Sequence, residues 1–377
     1  MKEIILNNKC TGCTACMNIC PKNAISMEED KDGFKHPVID QDKCINCGLC
    51  QKTCPVLNTK SNNSLNECYV GFNNNEEERL NASSGSIFSL VADYVLDSNG
   101  IVIGAAFDEN NVLKHIAISN KNELEKLKKS KYVQSDLNNI FKIVKDSVEA
   151  KKVLFVGTPC QVAGLKSFLR KDYGNLICID IICHGVPSPK LFSKYIQELE
   201  NSNNDKVVNY DFRDKSTGWD TYSNNITFTK SSIKTLSNNN PYMNLFLSDV
   251  ALRESCYDCN FKIGNKYSDI TLGDFWGVNK YYPEMYNKNG VSCIIINTEK
   301  GKEVIESIKN DITYKKCDIN EILSGNPSLK VSSKKTKNRE QFFHDIENLT
   351  INELSNKYKK KISLLKKIKS KIISFIR

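Results

Sequence analysis

The chain has 377 residues, of which 40% are hydrophobic and 26% charged, so it is long enough for two or three domains and apolar enough to bury an ordinary core. Its formal net charge is +9, but residues 357–377 hold eight lysines, one arginine and no acidic residue, which accounts for the whole excess. Because the rest of the chain is balanced, we expect no nucleic-acid partner.

A cysteine run near the N-terminus is repeated. It reads CTGCTACMNICP at residues 10–21 and CINCGLCQKTCP at residues 44–55. Three thiolates at this spacing can bind three corners of a 4Fe-4S cubane, and the last cysteine of each run then binds the other cubane. The predicted ligands are Cys10, Cys13, Cys16 and Cys54 for cluster 1, and Cys20, Cys44, Cys47 and Cys50 for cluster 2.

A pair of zinc sites is the competing interpretation, because two CxxC pairs can also hold structural zinc. Zinc takes four ligands, so the third cysteine of each run, the proline after each fourth cysteine and the repeat itself would have no role. Disulfides are a weaker alternative. Reduced thiols and an N-terminus without the apolar stretch of a signal peptide predict a cytoplasmic protein.

The rest of the N-terminal segment indicates a small module. Residues 24–40 hold two apolar-containing stretches around an Asp-Gly turn at residues 32–33, which predicts a β-hairpin between the cysteine runs. Residues 58–66 are polar and offer little that could be buried. We therefore predict a dicluster 4Fe-4S ferredoxin-type domain over residues 1–58, with the next domain beginning at residue 66.

An alternation of strands and helices follows. A helix is predicted over residues 82–96, strands over 101–107 and 112–119, and helical stretches over 123–129 and 137–149. The small residues that open the first of these helices would suit a phosphate, although an ordinary serine-capped helix explains the same sequence.

Two cysteines follow predicted buried strands. Residues 153–157 form an apolar run typical of a parallel sheet, with Cys160 just after it, and the next strand, residues 176–183, ends at Cys183. Open α/β sheets bind ligands at the carboxyl ends of their strands. With Cys256 and Cys259 these residues give four thiols, enough for a third 4Fe-4S cluster or one zinc ion, but such cysteines can also be nucleophiles or inert core residues.

Six motifs carry a family resemblance. They are SSGS at residues 83–86, KYVQS at 131–135, GTPCQ at 157–161, CHGVPS at 183–188, CYDC at 256–259 and SDITLGDFW at 268–276. Together they resemble the coenzyme F420 hydrogenase/dehydrogenase beta-subunit family over residues 66–310. With the ferredoxin segment in front, the chain resembles bacterial members that fuse a dicluster ferredoxin to the beta-subunit domains.

The resemblance implies a multidomain fold of the α+β and α/β classes. A small ferredoxin module with two 4Fe-4S clusters would be followed by mixed α/β domains, similar to the N-terminal and C-terminal beta-subunit domains, over residues 66–150 and 151–320. A basic amphipathic tail over residues 345–377 would end the chain.

The resemblance also implies a flavoprotein, in which FAD or FMN exchanges single electrons with a nearby cluster and electron pairs with an organic partner. That cluster, cluster 3, would be bound by Cys160, Cys183, Cys256 and Cys259. The flavin would lie near Ser84, Gly85, Lys131, Tyr132 and Ser135. His184 is a candidate proton donor, with a supporting role beside Cys183 as the alternative. Ser86 stands where family members commonly have a second glycine.

These features predict an iron-sulfur flavoprotein oxidoreductase that acts on a small organic substrate or on coenzyme F420 and exchanges electrons with a donor or acceptor protein. An electron-transfer adaptor without its own substrate, serving a partner enzyme, is the alternative. A scaffold whose clusters only hold the fold is a third and weaker interpretation. Ligand identity alone does not set the direction of electron flow.

The tail has the pattern of a basic amphipathic helix. Its apolar residues fall on one helical face, namely Ile362, Leu365, Ile368, Ile372 and Phe375. Such a helix can lie on the anionic inner face of a membrane as a peripheral contact, or it can dock its apolar stripe on protein. It has too few apolar residues to span a bilayer.

Overall fold

The computed structural model describes residues 7–59 and 65–360. The strands are β1 (Ile25–Glu29), β2 (Lys35–Ile39), β3 (Glu67–Asn73), β4 (Ile101–Phe107), β5 (Leu113–Ile118), β6 (Val153–Gly157), β7 (Leu176–Ile181), β8 (Val207–Asp214), β9 (Ser223–Phe228), β10 (Ser232–Leu236), β11 (Ile270–Asp274), β12 (Ser292–Ile296) and β13 (Ile312–Cys317). The helices are α1 (Ala15–Ile19), α2 (Leu49–Thr53), α3 (Glu76–Leu80), α4 (Ile87–Asp97), α5 (Ile140–Ser147), α6 (Pro159–Leu169), α7 (Pro189–Asn203), α8 (Pro241–Leu247), α9 (Val278–Tyr281), α10 (Glu299–Ser307), α11 (Ile319–Gly325), α12 (Arg339–Asp345) and α13 (Ile351–Tyr358).

The N-terminal module follows the internal repeat. Each cysteine run contains one short helix, α1 or α2, which starts after a residue in the left-handed region, Thr14 at φ 59° or Gly48 at φ 72°. Between the runs, β1 and β2 pair antiparallel with Ile25 opposite Ile39, which confirms the predicted hairpin. The two copies of the run therefore form similar loops around a shared hairpin.

The main body is built on a mixed sheet. Within the described residues its strand order is β13-β3-β12-β11-β7-β6-β4-β5. The pairs β4–β6, β6–β7 and β7–β11 are parallel, and the other pairs are antiparallel. The apolar runs of β6 and β7 lie in the middle, as their composition predicts. This mixed α/β architecture behind a ferredoxin-like module confirms the predicted fold class.

Helices cover both faces of the sheet. Helices α4 and α10 pack with the strands in one core, and α5 and α6 pack with them in another. Cys13 and Ala15 of the N-terminal module belong to the second core, so the module lies against the α5 and α6 side. Strand β3 lies between β12 and β13. One sheet therefore contains strands from both sides of the domain boundary predicted at residue 150. The boundary between residues 66–150 and 151–320 stays a prediction.

A further core lies beside the antiparallel sheet β10-β9-β8 and collects α7, α8, α12 and α13. The tip of the N-terminal hairpin reaches into it. Phe34 is 1% exposed and meets the Phe343 ring edge-on at 6.3 Å, and Asp32 forms a buried ion pair with Arg339 at 2.8 Å. The module is therefore held at two places, its hairpin tip and its first cysteine loop.

Several predicted elements need adjustment. The helix predicted over 82–96 begins at Ile87, because Ser86 takes a left-handed conformation with φ 63°. The stretch predicted helical at 123–129 is a 3-10 helix, Lys121–Lys126. Strand β7 ends at Ile181, which leaves Cys183 two residues beyond it.

The apolar face predicted for the tail lies outside the described residues. The last described helix is α13, which precedes that segment. Of the helices over residues 7–59 and 65–360, none combines the length and apolarity that crossing a bilayer would need.

The docked hairpin tip makes a testable prediction at Gly33. This residue has φ +85°, and a Cβ there would collide with the Lys190 side chain and come within 2.8 Å of Ser188 Oγ. Gly264 has φ +94° with open space around it. We expect G264A to lose about 1–2 kcal/mol from left-handed strain alone, and G33A to lose about 1–3 kcal/mol more from crowding. Urea titration of both variants measures this difference, and equal losses would contradict the docking of the tip.

Candidate metal centres

The first cysteine loop and the last cysteine of the second run surround one cavity. Its cysteines are Cys10, Cys13, Cys16 and Cys54. Cys10, Cys13 and Cys54 are buried, because helix α6 packs over this end of the module. The structure thus brings together the residues predicted for cluster 1, including the crossed ligand Cys54.

The cysteines predicted for cluster 2 surround a second cavity at the outer end of the module. They are Cys20, Cys44, Cys47 and Cys50. Cys47 is exposed, and Ile45 in the same loop is 57% exposed. Ile25, Ile39 and Leu49 supply apolar walls. This set is the one that solvent, and therefore another protein, can reach most easily.

The remaining predicted ligands converge in a third cavity, whose volume is about 550 Å³ including space open to solvent. They are Cys160, Cys183, Cys256 and Cys259. Cys160 is placed by the N-terminus of α6, where Thr158 and Gln161 form a capping box and Thr158 Oγ1 lies 3.2 Å from the Cys160 sulfur. Thr11 of the first cysteine loop lines both this cavity and the first one. The first and third cavities are therefore neighbours.

Burial sets the chemistry of these thiols. It raises the pKa of Cys13, Cys183 and Cys256 to about 12 in each case, and it also raises that of Cys160. A nucleophilic cysteine needs a lowered pKa, so this environment disfavours the nucleophile interpretation. Metal binding, which displaces the thiol proton, is the chemistry that such a group of buried thiols supports.

The spacing of the sulfurs bears on the choice of metal. Across the described ranges 7–59 and 65–360, no three side chains of His, Cys, Asp or Glu lie close enough to share a single metal ion. Each cysteine set instead surrounds a cavity and supplies four thiols, the donor set of a 4Fe-4S cubane. Each donor set therefore fits a 4Fe-4S cubane.

Cations surround the third cavity. Arg253, Lys262 and Lys266 line it together with the cysteines. Lys262 Nζ donates to the carbonyl of Cys183 at 3.1 Å, and Lys266 Nζ pairs with buried Asp180 at 2.9 Å. Positive charge near a thiolate-bound cluster stabilises its more negative, reduced form.

His184 also lines the third cavity and is held on both ring nitrogens. Nε2 lies 2.5 Å from Asp249 Oδ1, and Nδ1 lies 3.4 Å from Ser328 Oγ. Burial would raise the pKa of the Asp249 carboxyl, but hydrogen bonds from His184 and Lys360 outweigh it and lower that pKa. This geometry fits a supporting role for His184, and its role as a proton donor stays a prediction.

Cationic side chains lie around and near the loop that precedes α4. Arg213 Nη2 donates to the carbonyl of Ser83 at 3.2 Å, and Lys215 Nζ donates to that of Ser84 at 3.0 Å. Lys131 Nζ donates to the carbonyl of Lys128 at 2.6 Å. We call Lys131, Arg213 and Lys215 with the Ser83–Ser86 loop the anion pocket.

Two lysines of the anion pocket have no acidic partner. Lys131 and Lys215 are hydrogen-bonded to backbone carbonyls, and no carboxylate in the described part of the chain is within ion-pair distance of either ammonium. Burial lowers the pKa of each to about 7. An anionic ligand such as a phosphate would supply the missing negative charge.

An aromatic connection joins the anion pocket to the third cavity. Arg213 Nη1 donates to the Tyr132 hydroxyl at 3.2 Å, and the Tyr132 ring stacks on Phe246 at 5.0 Å. Phe246 in turn meets His184 edge-on at 5.4 Å. Of the predicted cofactor residues, Ser84 and Tyr132 contact these cations directly, through the Ser84 carbonyl to Lys215 and the Tyr132 hydroxyl to Arg213. Lys131 instead donates to the carbonyls of Lys128 and Lys129, and the N–H of Gly85 donates to Ser292 Oγ. Ser135 instead accepts a hydrogen bond from Gln161 beside Cys160.

Arg213, Lys215 and Arg253 were not among the residues predicted from the sequence. Asp211, Arg213 and Lys215 alternate along β8 and just beyond it, a period-two pattern that puts charged residues on one face of a strand and could have drawn attention. Arg253 had no local signal beyond its place three residues before Cys256.

Two protein-family models match the chain. Residues 150–321 match the model for the C terminus of the beta subunit in the coenzyme F420 hydrogenase/dehydrogenase family, and residues 9–58 match the 4Fe-4S dicluster domain. These matches confirm the resemblance that the motifs indicated. The N-terminal module is accordingly of a kind that binds 4Fe-4S clusters, and residues 150–321 are related to the C terminus of a hydrogenase/dehydrogenase beta subunit.

Among solved structures, a similar chain comes from the F420-reducing NiFe hydrogenase complex of Methanosarcina barkeri. It shares 16% identity at a TM-score of 0.48, and the match covers 78% of this chain and 91% of that chain. No curated protein matches the sequence.

The contact between α6 and the first cavity predicts the effect of a helix substitution. A Cβ on Gly164 would lie 2.8 Å from Cys13 Cβ and 3.0 Å from its sulfur, whereas Gly174 is surrounded by open space. Alanine at an exposed helical glycine would gain about 1 kcal/mol, but crowding should make G164A lose about 1–3 kcal/mol in denaturant titration. We also expect lower iron content in G164A than in G174A. An iron-replete, stabilised G164A would contradict the packing of α6 on this cavity.

Proposed function

We propose that this chain is an iron-sulfur flavoprotein oxidoreductase that passes electrons between three 4Fe-4S clusters and a flavin. The observation that carries the proposal is the third cavity, which is lined by four thiols and connected to the anion pocket through His184, Phe246 and Tyr132. A small organic substrate or coenzyme F420 would be the redox partner of the flavin. A cytoplasmic location and contact of the tail with the inner membrane face belong to the same proposal.

Three sets of residues would hold the clusters. Clusters 1 and 2 would occupy the two cavities of the N-terminal module, and cluster 3 the cavity at the carboxyl ends of β6 and β7. When bound, the clusters would carry single electrons and the flavin would exchange single electrons with them and pairs with its organic partner. Clusters 1 and 3 would lie close together, because Thr11 lines both of their cavities.

The two ends of the module suit different tasks. The cysteines of cluster 1 are mostly buried against the main body, while Cys47 of cluster 2 is exposed beside the exposed side chain of Ile45. The cluster 2 end is therefore the side on which an electron donor or acceptor protein would dock. A neighbouring protein in a larger complex would be such a partner.

The anion pocket would bind the phosphate of FAD or FMN. Lys131 and Lys215 offer two buried ammonium groups, and Arg213 offers a guanidinium that Asp274 holds at 3.1 Å. Tyr132 lies between this pocket and Phe246, so an isoalloxazine ring near Tyr132 would approach the third cavity.

The proposal also includes domain boundaries near residues 58 and 150.

Metal and flavin analysis of anaerobically purified protein tests this function. We expect about twelve irons, matching acid-labile sulfide and one flavin per chain. C183S should fall to about eight irons, because its third cavity loses one of four ligands. C178S is the matched control, since Cys178 is a buried strand residue outside the three cavities and should keep about twelve.

Other outcomes separate the alternatives. About twelve irons without flavin would favour the electron-transfer adaptor over the enzyme. About eight irons in the wild type would leave cluster 3 without support. Clusters that dithionite does not reduce would favour the structural scaffold.

Flavin affinity should depend on pH through the anion pocket. Because the pKa of Lys131 and of Lys215 is lowered to about 7, both lose charge as the pH rises above that value. A bound phosphate favours the charged forms, so flavin affinity should fall between about pH 7 and 9 by up to tenfold per pH unit for each lysine that takes up a proton.

Calorimetric titration of flavin-stripped protein with FMN at several pH values measures this dependence. K131M should bind more weakly and with a flatter pH profile. K126M, which removes an exposed lysine paired with Glu123, is the control and should behave like the wild type. A wild-type affinity independent of pH would contradict the phosphate assignment.

A further inference from the structure

Arg253 connects two cysteine loops across the contact between the module and the main body. Its backbone carbonyl accepts a hydrogen bond from the N–H of Cys256 at 2.9 Å, and its Nε donates to the carbonyl of Cys10 at 2.7 Å. Arg253 also lines the third cavity together with Thr11. One residue thus touches the ligand loops of cluster 1 and cluster 3.

The positive charge of Arg253 is buried without an acidic partner. The residue is 2% exposed, and the other hydrogen bonds of its guanidinium go to Gln134 Oε1 at 3.0 Å, to the carbonyl of Lys35 at 2.9 Å and to His36 Nε2 at 3.5 Å. Throughout the described residues no carboxylate comes within ion-pair distance of this guanidinium. Because an isolated buried charge is strongly unfavourable, its environment calls for negative charge close by.

Negative charge would arise in the first and third cavities if clusters were bound there. Four thiolates give a bound cubane a net negative charge, which grows by one on reduction. Lys262, Lys266 and Arg253 all line the third cavity and not the first, and Lys266 is already paired with Asp180. Arg253 differs in that its Nε also donates to the carbonyl of Cys10, a predicted ligand of the first cavity. Arg253 is therefore the cation placed to act on both sites.

We propose that Arg253 is the shared counter-ion of clusters 1 and 3 and the positioning residue that holds their ligand loops together. The inference rests on the proposed third cluster. A fixed cation between two sites stabilises the reduced form of both, so it raises both reduction potentials while leaving the more distant cluster 2 unaffected.

The experiment is an EPR-monitored redox titration of full-length, anaerobically purified protein, with iron and sulfide analysis of each variant. In R253Q we expect the potentials of clusters 1 and 3 to shift to more negative values, with cluster 2 unchanged. R253K keeps the charge and should restore most of both shifts. A residue with a merely structural role would give no such selective pattern.

R339Q is the matched control. Arg339 is also buried where the module meets the main body, but it pairs with Asp32 and lines none of the three cysteine cavities. All three potentials should stay at wild-type values in this variant. Equal shifts in R339Q, or wild-type potentials in an iron-replete R253Q, would overturn the proposal.

Loss of iron from R253Q is handled by the charge-conserving variant. If R253K then keeps its iron and wild-type potentials, the counter-ion role is supported, and if R253K loses iron to the same extent, the role is overturned. A wild-type protein with about eight irons would instead contradict the proposed function, before any variant is compared.

Discussion

A thiol removed from water resists ionisation, yet a cluster ligand has to be a thiolate. That conflict governs this chain, because burial raises the pKa of Cys13, Cys183 and Cys256 well above the ordinary value. If these thiols bind the proposed clusters, the free energy of their deprotonation would come from metal binding, and metal loading would then be coupled to folding. Helix α6 packs on the first cysteine loop, and that loop lies beside the third cavity. These contacts would link metal loading in the two cavities to the folding of the main body.

Two buried cations and one half-buried cation share one mode of support. Arg253, Lys131 and Lys215 are each held by backbone carbonyls or an amide oxygen rather than by a carboxylate. Neutral acceptors orient a charge without cancelling it, so the field of each cation remains available to a bound group. Carboxylate partners occur elsewhere in the same body, as in the pairs of Arg339 with Asp32 and Lys266 with Asp180. Bound negative charge is therefore expected beside the cations that have only neutral acceptors, and not beside those paired with a carboxylate.

Short sequence patterns were enough to predict those elements of the fold that are determined within a few residues. The cysteine repeat predicted which cysteines surround each cavity of the module, and short apolar runs predicted β6 and β7, because spacing and apolar runs are recognisable within a few residues. The contacts of the hairpin tip with Arg339 and Phe343 were not predictable, since they join segments from opposite ends of the chain. Arg253 was missed for the same reason, as its partners lie in the first cysteine loop and the hairpin.

Strand β3 has a consequence for how the chain is made. It follows the N-terminal module directly, but its neighbours in the sheet, β12 and β13, are translated near the end. During synthesis β3 therefore emerges with both hydrogen-bonding edges unpaired, while the module ahead of it already contains its complete cysteine repeat. Long-range pairing of this kind is slow and exposes strand edges to aggregation. The module can therefore complete early, whereas the sheet closes on β3 only after β12 and β13 have been made.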